Sequence, residues 1–159
     1  MKRQIFYSFH YDNDVFRVQQ LRNMGAFEEN QPVSHNEWET VKKGGDKAIK
    51  EWIDESLKYK SCTVVLIGEE TARRPWVKHE IKKSWESNKG LLGIYIHNLR
   101  DPRTGVGRMG TNPFDEFSLP DGSKLSSRIK CYTPNPLDAY NDIRSNLSKW
   151  IETAVQSKQ

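Results

Sequence analysis

The chain has 159 residues, of which 35% are hydrophobic and 29% are charged, and its formal net charge is +4. This length is typical of one compact domain, and no apolar run approaches the ~20 residues that a membrane helix needs. The N-terminus leads into a strand-like segment without a signal-peptide pattern, so we expect a cytoplasmic protein with no membrane contact. The basic residues are scattered among 21 acidic ones and form no dense block, which argues against nucleic acid as a partner. The modest positive field of the chain could favour an anionic dinucleotide. The basic pairs are interpreted as solvated faces: Lys42-Lys43, Arg73-Arg74 and Lys82-Lys83.

Cysteine and histidine usage limits the chemistry further. The two cysteines, Cys62 and Cys131, are too few for a disulfide framework or a metal cluster. Cys62 lies within an apolar segment, where we expect it to be a small buried hydrophobic residue. The four histidines have no metal-ligand spacing, so the sequence predicts no metal site.

The beginning of the chain predicts a strand followed by a helix. Residues 4–9 are rich in aromatic and β-branched side chains, as in an opening strand. Asp12 or Asp14 is placed to cap the helix that follows, and Gly25 is placed to end it. Three side chains of this helix are expected to face partly inward: Phe16, Val18 and Leu21.

A second helix is predicted after a polar segment. Residues 26–45 are irregular, apart from a short stretch in which Ser34 and Glu37 have capping-box spacing. Gly44-Gly45-Asp46 then precedes an amphipathic helix with one buried face. That face carries apolar residues at helical spacing: Ala48, Ile49, Trp52, Ile53 and Leu57.

Two continuous apolar runs predict central strands of a parallel sheet. They cover residues 61–68 and 91–96, and a predicted helix over about residues 75–87 separates them. The alternation of strands and helices predicts an α/β fold with helices on both faces of a mostly parallel sheet. Such sheets bind ligands at the carboxyl ends of their strands, and the first of these ends is Ser8-Phe9-His10.

The last third of the chain combines a long loop with a closing helix. Residues 97–136 hold most of the remaining glycines and prolines, and a loop of this length in a small domain is either functional or poorly ordered. We expect it to border the ligand pocket or an assembly surface. Gly105, Gly107 and Gly110 do not form a dinucleotide fingerprint and are interpreted as loop flexibility. Residues 139–155 have helical apolar spacing and close a single domain that spans residues 1–159.

The segment Arg74–Ile81 holds the most informative pair of side chains. Trp76 and Glu80 are four residues apart on the predicted helix and share one face, while Val77 and Ile81 face the sheet. An aromatic plate beside a carboxylate at this edge of the sheet suits a cationic aromatic ring attached to a sugar. From spacing alone, the alternative is that Trp76 is a core residue and Glu80 a solvated acid.

Taken in order, these motifs resemble TIR domains. The opening Ile5–Asp12 is similar to their first box, and Trp76–Ile81 is similar to the W-V-x-x-E-[IL] helix of TIR domains that consume NAD⁺. Four further motifs resemble short bacterial TIR proteins of Thoeris anti-phage systems: Ser8-Phe9-His10-Tyr11, Asp46, Val65-Leu66-Ile67-Gly68 and Asn112-Pro113-Phe114. The resemblance covers about residues 4–117 and implies a three-layer, flavodoxin-like TIR fold.

The resemblance also implies a site and a reaction. Glu80 matches the catalytic glutamate of the family, which cleaves the nicotinamide–ribose bond of NAD⁺. Residues that help to form the NAD⁺ pocket are implied at Ser8, Phe9, His10, Asp46 and Trp76. Among these, Asp46 is also explained as a helix N-cap without any ligand.

In this family NAD⁺ is the substrate, with no bound cofactor and no metal. The product stays open between ADP-ribose, a cyclic isomer and another conjugate, although the Thoeris resemblance favours a cyclised or modified ADP-ribose that acts as a signal. The partners that the resemblance implies are a downstream effector reached through this nucleotide, a phage-derived trigger, and other TIR domains in self-association.

Two other hypotheses belong to different functional classes. Many TIR domains work mainly as protein–protein interaction modules without catalysis, although the glutamate within the W-V-x-x-E pattern argues against that role here. A response-regulator-like or nucleotide-binding α/β domain is the third hypothesis. The chain lacks the acidic cluster that such a domain carries after its first strand, where Ser8-Phe9-His10 stands instead.

Overall fold

A computed structural model describes residues 4–22 and 41–158 of the chain. The predictions made for Gly25 and for residues 26–40, including the Ser34–Glu37 capping box, lie outside the described residues. Every element discussed below belongs to the two described ranges.

Strands and helices alternate along the described chain. The strands are β1 (Ile5–Ser8), β2 (Cys62–Ile67), β3 (Gly90–Tyr95) and β4 (Cys131–Tyr132). The α-helices are α1 (Tyr11–Arg22), α2 (Gly45–Leu57), α3 (Pro75–Glu86) and α4 (Ala139–Gln156). None of the helices in these ranges is long and apolar enough to cross a membrane.

The described strands form one parallel sheet in the order β1-β2-β3-β4. The three apolar runs predicted as strands are confirmed as β1, β2 and β3. Their register aligns Ser8 with Val65 and Val65 with Gly93, so the carboxyl ends of the strands meet at one edge. The predicted α/β architecture with a central parallel sheet is therefore confirmed.

Alternation along the strands distributes the core between the two faces of the sheet. On one face, Tyr7, Val64 and Ile94 pack against α1 and α4. On the other face, α2 covers Phe6, and α3 covers Val65 and Ile67. Ser8 lies two residues after Phe6, so its side chain points to the face that α2 and α3 cover. Cys62 is buried in this core with no exposed surface, as predicted, and both cysteines are free thiols.

Helix α1 begins earlier than predicted, which corrects the assignment of its acidic residues. It starts at Tyr11, and the backbone N–H of Asp14 already donates to His10 O at 2.9 Å. Asp14 is therefore an interior helix residue, and its buried carboxylate lies 3.7 Å from Arg17 Nη1. Phe16 is 37% exposed, and its ring packs under the Arg103 guanidinium at 4.5 Å.

The long loop predicted over residues 97–136 is built around fixed contacts. Arg17 donates from Nε to Leu99 O and from Nη2 to Gly105 O, each at 2.8 Å. The loop also contains short 3₁₀ turns and the two-residue strand β4, which the sequence pattern did not predict. A buried arginine that satisfies loop carbonyls holds this segment against α1.

Gly110 is a packing residue, which corrects the interpretation that the glycines of this loop provide flexibility. A Cβ atom on Gly110 would overlap the carbonyl oxygen of Gly68, at the end of β2. A Cβ atom on Gly107 would lie 3.1 Å from Arg17 Nη2, which is a tight contact with a side chain but not an overlap. Glycine at position 110 therefore lets two backbone segments approach closely.

We expect Gly110→Ala to lower the free energy of unfolding by about 1–3 kcal/mol, because the added methyl group forces the two backbone segments apart. The measurement is urea-induced unfolding followed by circular dichroism. Thr111→Ala is the control, because Thr111 is an exposed neighbour and its truncation should stay within about 0.5 kcal/mol of the wild type. Equal midpoints for the wild type and Gly110→Ala would contradict the packing argument.

Candidate active site

A pocket of about 230 Å³ opens at the carboxyl end of β1. Its walls come from three segments, which are residues 6–10, 42–52 and 74–80. The pocket thus lies between the end of β1, an edge strand of the described sheet, and the first turns of α2 and α3, at the edge where parallel α/β sheets bind ligands. It is smaller than the ~300–1,000 Å³ typical of sites that hold a whole drug-sized ligand.

Helix α3 brings Glu80 to the floor of this pocket. The helix starts at Pro75, in a position where proline is tolerated because the missing N–H has no intrahelical partner. Val77 and Ile81 fix its orientation, since they are 2% and 0% exposed and pack on the sheet. Glu80 adjoins this buried stripe and is only 7% exposed. The alternative that Glu80 is a solvated acid is therefore wrong.

Ser8 holds the Glu80 carboxyl group in place. Ser8 Oγ donates a hydrogen bond to Glu80 Oε1 at 2.7 Å, and Ser8 itself is fully buried. Burial raises the pKa of Glu80 to about 8, and the Ser8 hydrogen bond opposes that rise by stabilising the ionised form. Near neutral pH, the empty pocket thus holds a mostly protonated carboxyl group.

A second buried hydrogen-bond chain anchors the helical turn that carries Glu80. Ser84 Oγ donates to the Glu80 carbonyl oxygen at 2.7 Å and lies 2.7 Å from Thr63 Oγ1 on β2. Because the Ser84 hydroxyl proton is used toward Glu80, Thr63 is the donor to Ser84 Oγ. The sequence analysis missed both hydroxyl residues, since a Ser and a Thr 21 positions apart carry no local signal.

Aromatic residues form one side of the pocket. Trp76 is half-buried beside the cluster of Phe6, Ile49 and Ile53, and Trp52 packs against the same cluster. A contact at 3.2 Å between His79 Nε2 and Asp54 Oδ1 ties α3 to α2 just behind this wall.

The six residues singled out from the sequence lie close together. Five of them line the pocket: Phe9, His10, Asp46, Trp76 and Glu80. The sixth, Ser8, does not line it and instead lies behind Glu80. The N-cap explanation of Asp46 is wrong, because Gly44 is the N-cap of α2 and Asp46 lies exposed in the first turn.

Other pocket residues were assigned differently from the sequence. Ile49 and Trp52 were predicted only as the buried face of a helix, and Lys42 and Arg74 only as solvated charges, yet all four line the pocket. No residue of the 97–136 loop lines this pocket, so the pocket is not the surface that the loop borders, and the expected assembly surface stays a prediction. Arg17 holds the start of the loop on α1, and Phe114 and Leu125 of its later part pack beside Val77 and Ile81 of α3 without reaching the pocket.

Comparison with known proteins identifies relatives over most of the chain. Residues 6–101 match the model of a family described as "Thoeris protein ThsB, TIR-like domain". A Bacillus cereus (strain MSX-D12) protein named "Putative cyclic ADP-D-ribose synthase ThsB1" is 38% identical over 151 residues, which cover 90% of this chain and 78% of that protein. The matched range 6–101 contains every residue that lines the pocket.

The buried Glu80 makes stability depend on pH. Its pKa is about 8 in the folded chain, against an ordinary value of 4.5, so the folded state binds more protons than the unfolded state between these two pH values. Stability is therefore lost as pH rises from 4.5 to 8, by up to about 1.4 kcal/mol per pH unit. We expect Glu80→Gln to remove this loss and to be more stable than the wild type at pH 8, by about 1–4 kcal/mol.

The measurement is urea-induced unfolding of both proteins at pH 5, 6.5 and 8. Glu86→Gln is the matched control, because Glu86 is an exposed acid on the same helix and should show no such pH-dependent gain. A Glu80→Gln stability curve parallel to that of the wild type would contradict the assignment of a buried, protonated Glu80.

Proposed function

Because this chain belongs to the TIR-like domain family of the Thoeris protein ThsB, we propose that it cleaves NAD⁺ and makes a cyclic ADP-ribose signal in anti-phage defence. The observation that carries this proposal is the buried Glu80 carboxyl group, held by Ser8 at the floor of a pocket beside Trp76. The name of the Bacillus cereus relative, a cyclic ADP-D-ribose synthase, supports the same substrate and product class.

In the proposed reaction, the bond between the nicotinamide nitrogen and the ribose carbon breaks, and its electron pair stays with nicotinamide. The nicotinamide ring is cationic in NAD⁺ and leaves as a neutral molecule, so no general acid is needed. Positive charge develops on the ribose, as in glycoside hydrolysis. Ionised Glu80 stabilises this charge, and preorganised electrostatic stabilisation of this kind is usually the largest catalytic contribution.

Capture of the ribose cation decides the product. A nucleophilic group of the same ADP-ribose closes the ring and gives a cyclic product, whereas water gives linear ADP-ribose, which is the nucleosidase or hydrolase outcome. Each route ends with one proton released to solvent. Closure of the site around the bound substrate would keep bulk water from the reacting carbon and favour the internal nucleophile.

Binding of the cationic substrate favours the ionised form of Glu80. In the empty pocket burial keeps the pKa of this carboxyl group near 8. A cationic nicotinamide ring within a few ångströms lowers that pKa, because an opposite charge favours the ionised form. Trp76 offers an aromatic face to the same cation. Substrate binding and loss of the Glu80 proton are therefore coupled.

The principal alternative is a non-catalytic interaction module. Side chains filling the pocket would have favoured it, but the pocket between β1, α2 and α3 is open. A buried acid whose burial opposes its own ionisation is also an unneeded destabilisation in a purely structural module.

We expect Glu80→Gln to lower formation of the cyclic product by at least about 100-fold, because the amide cannot carry the charge that stabilises the ribose cation. Cells carrying either form are challenged with a phage that is known to trigger the system. NAD⁺ and ADP-ribose derivatives in their lysates are then resolved by mass spectrometry. Glu86→Gln is the matched control and should retain the product.

Normal product formation by folded Glu80→Gln would show that Glu80 is not the catalytic residue. Unchanged NAD⁺ and no new nucleotide in the wild type, under a challenge that is known to trigger the system, would favour the interaction module. Linear ADP-ribose as the only Glu80-dependent product would keep the enzyme and change its class to NAD⁺ nucleosidase.

The pH dependence of cleavage provides a separate test. At NAD⁺ concentrations well below KM the rate reports the free enzyme, in which Glu80 must lose its proton. We expect kcat/KM to rise about tenfold per pH unit below pH 8 and to level off above it, because the pKa of Glu80 is about 8. Initial rates in activated lysate between pH 6 and 9 measure this profile, with Glu80→Gln lysate as the background. A flat profile would contradict it.

A further inference from the structure

Two basic pairs flank the pocket, and the structure separates the members of each pair. Lys42 and Arg74 line the pocket, whereas Lys43 and Arg73 do not. Arg73 instead lies 3.4 Å from Glu70 in an exposed ion pair. All four side chains are exposed, as the sequence interpretation expected, and Lys42 and Arg74 in addition line the pocket.

The two cations at the pocket have no partner within the part of the chain that the structure describes. No hydrogen bond or ion pair joins the side chain of Lys42 or Arg74 to another described residue. Both are exposed, so they stand at the mouth of the pocket while Glu80 is at its floor. Asp46 is the acidic residue at the same mouth, so the two cations outnumber the acidic residue there.

Helix α3 adds to the positive potential at this mouth. Arg74 is its N-cap, and a guanidinium has no acceptor for the free N–H groups of the first turn. These groups and the helix dipole favour an anion beside Arg74. The pocket therefore presents an acid inside and positive charge outside.

The spacing along α3 gives the distance between the acid at the floor of the pocket and the positive charge at its mouth. Arg74 and Glu80 are six residues apart, which corresponds to about 9 Å of rise along a helix. In NAD⁺ a ribose ring and its exocyclic carbon separate the reacting carbon from the first phosphate. If the reacting bond lies at Glu80, the diphosphate extends toward the mouth, where Arg74 and Lys42 lie.

We infer that Arg74 and Lys42 form a diphosphate subsite, which binds NAD⁺ with its nicotinamide riboside end directed inward onto Glu80. This inference rests on the proposed function and adds the orientation of the substrate to it. Arg74 provides the planar donor pair that matches phosphate oxygens, and Lys42 provides a point charge from a separate segment of the pocket lining.

The test compares two ligands that share the reacting end. NAD⁺ carries the diphosphate, and nicotinamide riboside lacks it. Purified protein is mixed with each ligand, and the fluorescence of the pocket residues Trp52 and Trp76 is followed by stopped flow, before turnover accumulates. The variants are Arg74→Gln and Lys42→Gln. Their matched controls are Arg73→Gln and Lys43→Gln, which remove the same charge one residue away.

We expect Arg74→Gln and Lys42→Gln each to weaken NAD⁺ binding about five- to tenfold and to leave nicotinamide riboside binding unchanged. Both controls should bind NAD⁺ within twofold of the wild type. Raising the salt concentration should weaken NAD⁺ binding more than nicotinamide riboside binding, because exposed charges are screened.

Equal NAD⁺ affinity in Arg74→Gln and Arg73→Gln would overturn the subsite, as would equal affinity of the wild type for the two ligands. Absence of NAD⁺ binding to the folded wild type would also overturn it. The proposed function is tested separately, by loss of product in Glu80→Gln. If the binding test contradicts the subsite but Glu80→Gln still loses the product, the proposed reaction is unaffected. If Arg74→Gln binds NAD⁺ more weakly but Glu80→Gln remains active, the subsite is supported and Glu80 is not catalytic.

Discussion

The hydrogen bond from Ser8 to Glu80 joins the end of the first strand to the third helix, and the pocket depends on it. A carboxyl group removed from water needs a partner, because burial disfavours its charge. The surrounding structure holds the group in place: Val77 and Ile81 seat the helix on the sheet, and Ser84 ties the turn to β2. An apolar residue at position 80 would avoid this cost of burial, so the acid at this position fits the catalytic role that we propose for it.

The elements that create this arrangement could be predicted from the sequence because their signals are local. Continuous apolar runs identified β2 and β3 as buried parallel strands, and spacing of four residues placed Trp76 and Glu80 on one side of α3. Parallel pairing then brings together residues 72 positions apart, since all strand ends lie at one edge. Spacing did not predict that Glu80 would be buried, because burial depends on how far each helix lies across the sheet.

The parts that could not be predicted depend on contacts between distant segments. Arg17 selects carbonyl groups of Leu99 and Gly105, more than 80 residues later, and turns an apparently free loop into a packed one. Its ion pair with Asp14 also removes that acid from the capping role that its position suggested. Similarly, because α3 starts at Pro75, Arg74 lies at the pocket and Arg73 does not. Sequence shows such charges and glycines but not their partners.

The resulting pocket has a polarity that changes with occupancy. While it is empty, the acid at its floor is mostly neutral, so the cations at its mouth dominate the local field and attract an anionic ligand. In the proposed reaction, a cationic ring at the floor would favour ionisation of Glu80, and the negative charge would form next to the ribose that becomes positive. A permanently ionised acid in this position would weaken the attraction of the mouth for phosphates before binding. Under this proposal, burial of Glu80 suits one small site to the anionic and the cationic parts of the same dinucleotide.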